Sequence, residues 1–378
     1  MKDIVIAGYA RSPFHFATKG ALTKVRPDDL AAHVVKGLME RTGVNLEDVE
    51  DLILGCAFPE GEQGFNMARL VGLMAGLPIS VAGTTVNRFC GSSMQAIHMA
   101  AGAIQMGAGE VFVCAGVESM SRVPMSGFNP MPNPALCESM PAAYMSMGET
   151  AENVGREYSI SREEQEVFAV ASQHKAGEAK TKGLLADEIV PIEVGGYSIE
   201  EDGCLRPTTD LEGLAGLKLA FDENGTVTAG TSSPLTDGAA ATLVCSLDYA
   251  NANGLTPMAR IASIAVSGCK PETMGLGPIF SSRKALSRAG IEAKDLDVVE
   301  INEAFATQSI ASIRDLELDT AKVNIDGGAI AIGHPLGATG ARITGKAAQL
   351  LKRQGGRYAL STQCIGGGQG IATVLEAA

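Results

Sequence analysis

The chain has 378 residues, so we expect two or three domains, because one hydrophobic core rarely serves so long a chain. Hydrophobic residues make up 46% and charged residues 19% of it, which is typical of a folded protein and excludes extended disorder. The formal net charge of −13 argues against general binding to nucleic acid or to anionic membranes. An anionic ligand would therefore need a local basic patch.

Eight cysteines are scattered along the chain without a C-x-x-C pair or a cluster at zinc-binding spacing. This pattern predicts a reducing compartment and no metal site. The first residues resemble a short strand and not a signal or transit peptide, and no apolar run is long enough to span a bilayer. We therefore expect a cytoplasmic location and no membrane insertion.

The first 116 residues alternate predicted strands with predicted helices. The strands are expected at 1–8, 52–55, 81–86 and 111–116, and the helices begin at Pro27, at Asn66 and after Cys90. The first helix has Pro27 at its start and Gly43 near its end, as helices often do. Such alternation predicts a mainly parallel sheet with helices on both faces.

Cys90 lies in a predicted tight turn between a strand and a helix. A thiol at a helix N-terminus tends toward the thiolate, because the free N–H groups and the helix dipole favour an anion. Gly91 would let a substrate approach, and Ser92 and Ser93 could cap the turn. Taken alone, the segment fits a buried packing cysteine better, because most free cysteines only fill space.

Residues 120–236 have a different composition. Met, Pro, Asn and Ser crowd the span 120–147, and a helix is expected after Ser161, where Glu164 completes a capping box. Glycine- and aspartate-rich turns follow. We interpret this segment as a large insertion with its own small fold, lying over an active site.

The last part of the chain resembles the first. Residues 44–49 are similar to 291–296, and 111–113 to 358–360, at the same offset of 247 positions (291 − 44 and 358 − 111). This predicts a duplicated α/β unit, although any two strand–helix–strand segments resemble each other to some degree. At this offset the Cys90 turn corresponds to the turn at Gly337.

Three further segments could carry chemistry. Asn302 and Glu303 follow a strand, where they could hold a water molecule or simply begin a helix. His334 lies in a glycine-rich segment and precedes a proline that restricts its backbone; the alternative is an ordinary surface histidine. Cys364 enters the glycine loop 366–370, whose N–H groups could form an oxyanion hole or cradle a phosphate.

Together these residues suit the cleavage or formation of a carbon–carbon bond next to a carbonyl. One thiolate can act as the nucleophile with the histidine as its base, and the second thiol can donate a proton to a carbanion.

The chain resembles the 3-ketoacyl-CoA thiolase/acetyl-CoA acetyltransferase family along its whole length. The motifs that carry the resemblance are NRFCGSS, NEAFA, GGAIAIGHPLGATGAR and CIGGGQGIA, in the order found in the family. The resemblance implies an α/β fold, with duplicated βαβαβαββ halves in a five-layer α-β-α-β-α sandwich and an inserted loop domain. It divides the chain into an N-terminal half (1–119 and 237–257), a loop domain for CoA binding and oligomer contacts (120–236) and a C-terminal half (258–378).

The resemblance also implies catalytic roles. Cys90 would accept the acyl group, and His334 would activate Cys90 and form an oxyanion hole with a water held by Asn302. Cys364 would move the proton at the substrate α-carbon. The N–H groups of Cys90 and Gly366 would form a second oxyanion hole.

The implied substrate-binding residues are Ser233 beside the pantetheine arm, and Met147, Met274 and Phe305 around the acyl group. The last three could equally be ordinary core residues. Lys218 stands in a segment where the family carries an arginine near the CoA adenine, which leaves the details of CoA binding open. CoA would be a substrate, and no other cofactor or metal is implied.

The implied activity is CoA-dependent thiolysis of 3-ketoacyl-CoA in fatty-acid β-oxidation, by a homodimer or homotetramer that could join a β-oxidation multienzyme complex. Ser146 and the segment 231–237 resemble degradative members more than biosynthetic ones, while Asp326 replaces a usual asparagine. Biosynthetic acetoacetyl-CoA formation is the alternative, and a non-catalytic acyl-CoA-binding protein is a remote one. Cys364 argues against a decarboxylating ketosynthase.

Overall fold

The computed structural model describes residues 2–378. Before residue 120 it contains β1 (Ile4–Arg11), β2 (His15–Phe16), α1 (Pro27–Thr42), β3 (Asp51–Gly55), α2 (Met67–Met74), β4 (Ala82–Val86), α3 (Ser92–Gln105) and β5 (Val111–Ser119). The prediction of α1 is confirmed: Pro27 needs no N–H partner at the first position, and Gly43 ends the helix with φ 65°.

The segment 120–236 has little regular sheet. It contains α4 (Pro134–Ser139), α5 (Met147–Glu157), α6 (Arg162–Thr181), β6 (Ile192–Val194), β7 (Tyr197–Ile199) and α7 (Leu211–Ala215). α6 begins with the predicted capping box, in which Ser161 and Glu164 bond each other's backbone N–H groups.

Regular alternation resumes after this segment. The remaining elements are β8 (Thr236–Ser246), α8 (Leu247–Ala252), β9 (Ala259–Gly268), α9 (Gly277–Ala289), β10 (Val298–Ile301), α10 (Ala306–Asp315), α11 (Ala329–Ile332), α12 (Leu336–Gln354), β11 (Tyr358–Ile365) and β12 (Gln369–Glu376).

The predicted duplication is confirmed at the offset of 247 positions. Gly43 ends α1 and Gly290 ends α9, both in the left-handed conformation. Single 3-10 turns follow at Leu46–Asp48 and Ala293–Asp295, and β3 and β5 correspond to β10 and β11.

The prediction of a mainly parallel sheet is wrong. The strands follow the order β10-β11-β12-β9-β1-β8-β5-β3-β4, and only β3–β4, β3–β5 and β10–β11 pair in parallel. The connections through α2, α3 and α12 lead from one parallel strand to another, and the remaining neighbours are antiparallel. β1 and β9 join the sheets of the two halves through only two residue pairs, Val5–Arg260 and Ile6–Ala259.

Five layers result. α1 and α2 cover the outer face of the first half's sheet, and α9 and α10 cover that of the second. α3 and α12 lie between the two sheets, where Met94 of α3 and Ile343 of α12 pack against strands of the second half. No helix within residues 2–378 is long and apolar enough to cross a bilayer.

A buried ionic network ties the segment 120–236 to both halves. Its members are Arg11, Glu188, Asp202, Asp326, Lys346 and Arg353. Glu188 accepts from Arg11 Nε at 2.7 Å and from Lys346 Nζ at 2.9 Å. Lys346 Nζ also lies 2.7 Å from Asp326 Oδ2, which gives a structural role to an aspartate that the sequence left unexplained.

Candidate active site

The turn that carries Cys90 leaves β4 and enters α3. Asn87 Oδ1 accepts the N–H of Phe89 at 2.8 Å, which stabilises the left-handed conformation of Phe89 at φ 42°. Cys90 lies just before Gly91, the N-cap residue of α3. Packing also favours glycine at position 91, because a Cβ there would lie 2.6 Å from Ile365 Cδ1 of the second half.

The expectation that the serines cap the turn is confirmed for Ser92, whose Oγ accepts the N–H of Arg88 at 2.8 Å. Ser92 Oγ donates to the carbonyl of Phe89 at 2.6 Å, inside the turn. Ser93 Oγ accepts the N–H of Ala341 at 2.8 Å and thereby links α3 to α12.

Cys90 is a neutral thiol in this site. Only 9% of the residue is exposed, and burial followed by the charge of Glu118 raises its pKa to about 12, against the opposing effect of the Gly366 N–H. The expected tendency toward thiolate is wrong for the resting protein, because the loss of hydration outweighs the helix N-terminus. The proton must leave Cys90 when a substrate arrives.

His334 is positioned by three hydrogen bonds. Its backbone N–H donates to Thr236 Oγ1 at 3.0 Å, its Nδ1 lies 2.6 Å from Thr339 Oγ1, and its Nε2 lies 3.3 Å from Asn302 Nδ2. Thr339 Oγ1 itself donates to the carbonyl of Pro335, so it accepts a proton from Nδ1. This network assigns the proton to Nδ1 and leaves the Nε2 lone pair facing Asn302.

His334 is 4% exposed, which excludes the surface-histidine interpretation. Burial, with a smaller effect from the charge of Arg342, lowers its pKa to about 3. The imidazole is therefore neutral at ordinary pH and able to accept a proton.

Asn302 does not begin a helix, because α10 starts four residues later at Ala306. Its Oδ1 is buried and has no hydrogen-bond partner within residues 2–378, so it can bind a water or a substrate group. Glu303 accepts from Ser172 Oγ at 2.6 Å and Asn324 Nδ2 at 2.7 Å, and so anchors the same turn.

Cys364 lies at the end of β11, fully buried. Burial raises its pKa well above the ordinary value, and a negative charge on Cys90 raises it further, so the two sulfurs are close neighbours. Gln363 donates to the carbonyl of Cys90, and the N–H of Gly366 hydrogen-bonds the Cys90 sulfur. The strand end and glycine loop of the second half thus contact the nucleophile turn of the first.

An apolar cluster surrounds Cys364. Met274 and Phe305 are buried in one cluster with it, and the half-buried Met147 packs against that cluster. The Met147 sulfur would lie 3.5 Å from a Cβ at Gly366, so a side chain there would narrow the space next to Cys90.

The remaining two predicted binding residues lie outside this cluster. The N–H of Ser233 donates to the carbonyl of Ala304 at 2.9 Å, which places this half-buried serine beside the cluster, since Ala304 is one of its members. Lys218 is exposed, next to a short bridge between Leu219 and Thr228. The structure therefore brings Cys90 to Cys364 and Gly366, and His334 to Asn302. It also places the four binding residues other than Lys218 in or beside the cluster around Cys364: Met147, Met274, Phe305 and Ser233.

Comparison with known proteins identifies this constellation. Residues 4–248 match the family described as "Thiolase, N-terminal domain", and residues 255–377 match "Thiolase, C-terminal domain". The chain belongs to the thiolase family.

Similar thiolases extend over the whole chain. A 3-ketoacyl-CoA thiolase from Bacillus subtilis is 47% identical over 389 residues and covers 100% of both chains. One from a Marinomonas species is 50% identical over 384 residues, covering 99% of this chain and 98% of its own. The crystal structure of human mitochondrial 3-ketoacyl-CoA thiolase in complex with CoA is 38% identical, with TM-score 0.93 over 100% of this chain and 98% of that one.

Sequence reasoning missed several residues that shape this thiolase site. Gln363 contacts Cys90, and Thr339 contacts His334. The charge of Arg342 lowers the pKa of His334, and the charge of Glu118 raises that of Cys90. A signal existed for Glu118 and Arg342, since charged residues rarely occupy a buried strand or helix face without a partner.

Proposed function

We propose that this chain catalyses the CoA-dependent thiolysis of 3-ketoacyl-CoA to acetyl-CoA and a shortened acyl-CoA, in fatty-acid β-oxidation. The observation that carries the proposal is that two buried thiols from the two halves of the chain, Cys90 and Cys364, lie close together. The buried imidazole of His334 stands two residues before Leu336, which packs in one cluster with Cys90. The similar proteins named 3-ketoacyl-CoA thiolase support the same activity.

In the first step, the Cys90 sulfur attacks the 3-keto carbon while its proton moves to the Nε2 lone pair of His334. The carbonyl π electrons move to oxygen, and that oxyanion is stabilised by His334 and by a water held at Asn302. The buried, unpartnered Oδ1 of Asn302 supports this assignment.

In the second step, the oxyanion collapses and the bond between the α- and β-carbons breaks. Its electron pair stays on the α-carbon as the acetyl-CoA enolate, whose oxygen lies near the N–H groups of Cys90 and Gly366. Cys364 gives its proton to that carbon, and acetyl-CoA leaves. The apolar surroundings of Cys364 favour this role, because they keep the thiol protonated until a base forms beside it.

In the third step, the CoA thiol attacks the thioester on Cys90 and takes the acyl group. The CoA proton restores Cys364, and the proton on His334 returns to Cys90. Side chains carry out every proton transfer and the nucleophilic attack on the substrate, so the scheme needs no resident cofactor. CoA takes part as a substrate. Met147, Met274 and Phe305 would line the acyl group, with Ser233 beside the pantetheine arm and Lys218 near the nucleotide end.

The test is a thiolysis assay with free CoA and 3-ketoacyl-CoA of several chain lengths. Activity on longer chains that exceeds activity on acetoacetyl-CoA supports the degradative role. Activity confined to acetoacetyl-CoA, with acetyl-CoA condensation in the reverse assay, would favour the biosynthetic alternative. Failure on every chain length would contradict both and leave the acyl-CoA-binding protein.

We also propose the domain limits 1–119 with 237–257, 120–236 and 258–378, and assembly into a homodimer or homotetramer. β4 is the last strand of the sheet, and exposed apolar side chains surround it: Phe65, Leu70, Leu73, Met74 and Ile79. Such a patch next to an open strand edge supports pairing with a second copy. Light scattering that gives a single-chain mass of 39.0 kDa would contradict this assembly.

The span 125–140 also exposes large apolar side chains: Met125, Phe128, Met131 and Met140. They support a larger assembly, which would be a homotetramer or a complex with a β-oxidation partner enzyme. All eight cysteines within residues 2–378 are free thiols, which supports a reducing compartment such as the cytoplasm.

A further inference from the structure

The strand that ends at the Asn302 turn, β10, is an edge strand. On one side it pairs in parallel with β11, up to Ile301 opposite Thr362. Within residues 2–378 no strand lies on its other side, where a single bridge pairs Val299 with Val323. Ile301 is fully buried, so its N–H and carbonyl on that open side need partners of another kind.

The side chain of Asn324 supplies these partners. Its Oδ1 accepts the N–H of Ile301 at 2.9 Å, and its Nδ2 donates to the carbonyl of Ile301 at 2.9 Å. A primary amide carries the same acceptor and donor as a peptide group, so it extends the ladder of β10 by one residue. The second N–H of Nδ2 donates to Glu303 Oε1 at 2.7 Å. One buried amide therefore holds the residues on both sides of Asn302.

The backbone of Asn324 also favours asparagine. Its φ is 44°, in the left-handed region that asparagine adopts more readily than most other residues. Its N–H donates to the carbonyl of Val299 at 2.8 Å, and its carbonyl accepts the N–H of Gly327 at 2.9 Å. The backbone is thus fixed against β10, and the side-chain amide can reach only the end of that strand.

In the first half, a complete strand lies at the corresponding place. β4 pairs with β3 along five residues and then leads into the Cys90 turn. In the second half, the chain passes β10 at Val323 and Asn324 and then leads into the segment of His334. The amide of Asn324 thus takes the place that the backbone of a strand has in the first half.

Glu303 extends these contacts to the glycine-rich segment that leads to the catalytic histidine. Its Oε2 accepts the N–H of Ile330 at 3.1 Å and Ser172 Oγ at 2.6 Å. Ser172 Oγ also accepts the N–H of Gly328 at 3.2 Å. A Cβ at Gly328 would lie 2.1 Å from Glu303 Cδ, so the carboxylate lies directly against this backbone. Glu303 therefore binds both the turn of Asn302 and the approach to the histidine.

We propose that Asn324 is a positioning residue that acts through Ile301 and Glu303 to hold Asn302 against His334, where the two groups and one water stabilise the oxyanion. The inference rests on the proposed function for its role in turnover. The hydrogen bonds of the Asn324 side chain go to the backbone and the carboxylate of the turn. Its removal should therefore lower kcat and leave KM nearly unchanged.

The test is a cycle of single and double substitutions in the thiolysis assay. N324G keeps the left-handed backbone but removes the amide, and we expect kcat to fall about tenfold while KM changes less than about twofold. N302A removes the water ligand itself, so kcat should fall about 10²-fold. N324G added to N302A should then lower kcat by less than about twofold, because the group to be positioned is gone. A merely structural role would cost the same factor in both backgrounds.

Hydrogen exchange measures the positioning without turnover. One more amide of the peptide 298–306 should exchange rapidly in N324G than in the unsubstituted protein, because the N–H of Ile301 loses its acceptor. The matched control is Thr242→Val, which also removes a fully buried hydrogen bond, from Thr242 Oγ1 to the carbonyl of Cys114, but in the first half. It should leave both kcat and the exchange of 298–306 unchanged.

Two results would overturn the proposal. They are an equal fold loss of kcat for N324G with and without N302A, and an exchange of 298–306 that N324G does not alter. If N324G does not fold, N324D takes its place with the same criteria, since it loses both donated bonds but keeps the acceptor for Ile301. Absence of thiolysis in the unsubstituted protein would contradict the proposed function alone, because hydrogen exchange still decides whether Asn324 holds the turn.

Discussion

At the scale of single residues, the site keeps its reactive groups neutral. Burial raises the pKa of Cys90 to about 12 and lowers that of His334 to about 3. A thiolate–imidazolium pair would have to charge both groups in a place without water, which burial disfavours strongly. The proton transfer is therefore tied to the attack on the substrate, where the new oxyanion can be stabilised.

The two cysteines can be separated by substitution. In Cys364→Ala we expect thiolysis to fall by about 10³-fold, because the carbanion loses its proton donor. Exchange of labelled CoA into acyl-CoA forms no carbanion, and a CoA thiolate needs a proton donor far less than a carbanion does, so this exchange should fall by less than about tenfold. Cys90→Ala should lose both reactions. Equal loss of both in Cys364→Ala would contradict the division of roles.

Buried neutral histidines also make stability depend on pH. Burial, followed by the charge of Arg88, lowers the pKa of His98 to about 3. The pKa of His334 is lowered to the same value. Unfolded histidine takes up a proton below about pH 6.5 while the folded one does not, so stability is full above pH 6.5 and is lost as the pH falls toward 3.

We expect each of these two histidines to lower the free energy of unfolding by about 2 kcal/mol between pH 7 and pH 5. Urea titrations at both pH values would measure this, and His98→Gln should lose less stability than the unsubstituted protein over that interval. His33→Gln, at a half-buried position on α1, is the control. If His98→Gln loses as much unfolding free energy between pH 7 and pH 5 as the unsubstituted protein does, His98 is charged in the folded state.

At the scale of elements, the site depends on how closely α12 approaches β5. A Cβ at Gly116 would overlap the carbonyl oxygen of Gly337, and one at Gly340 would overlap the backbone of Met94. Glycine is thus required here for contact between backbones and not for an unusual φ. The sequence indicated glycine-rich turns at Cys90 and Gly337, but it did not show that α12 begins against a strand of the other half.

Gly116→Ala should displace the start of α12. We expect a loss of about 2 kcal/mol in the free energy of unfolding, because a rigid carbonyl must move, and at least a tenfold loss of kcat from the shift of His334. The control is Gly268→Ala at the end of β9, where the nearest heavy atom would lie 4.0 Å from the new Cβ. Equal effects of the two substitutions on kcat would contradict this view of α12.

The ionic network that joins the segment 120–236 to α12 predicts a second effect at this scale. Asp326→Asn leaves the buried Lys346 with Glu188 alone and releases Arg353, whose Nη2 lies 2.6 Å from Asp326 Oδ1. Breaking a buried pair by removing one charge costs about 3 kcal/mol, which chemical denaturation would measure. Glu292→Gln, in an exposed pair with Lys294, should change stability little. No difference between these variants would show that the network is not stabilising.

At the scale of the whole molecule, the active site exists only where the two halves meet. The bond from Gln363 to Cys90 spans 273 positions, and that from Gly337 to Glu118 spans 219. Local patterns predicted the Cys90 turn, the His334 segment, the Asn302 turn and the Cys364 loop, because turn chemistry is encoded by neighbours. The orienting partners could not be found in this way, since only the packing of two distant segments creates them. The antiparallel strands were missed for the same reason.

The central claim is that this assembled site carries out covalent acyl transfer through Cys90. The most direct measurement is mass spectrometry of the protein after incubation with a 3-ketoacyl-CoA in the absence of free CoA. We predict one acyl group per chain, located on the Cys90 peptide, with release of one equivalent of acetyl-CoA and removal of the acyl group when CoA is added. An acyl group on another residue, or acetyl-CoA release without any adduct, would contradict the account.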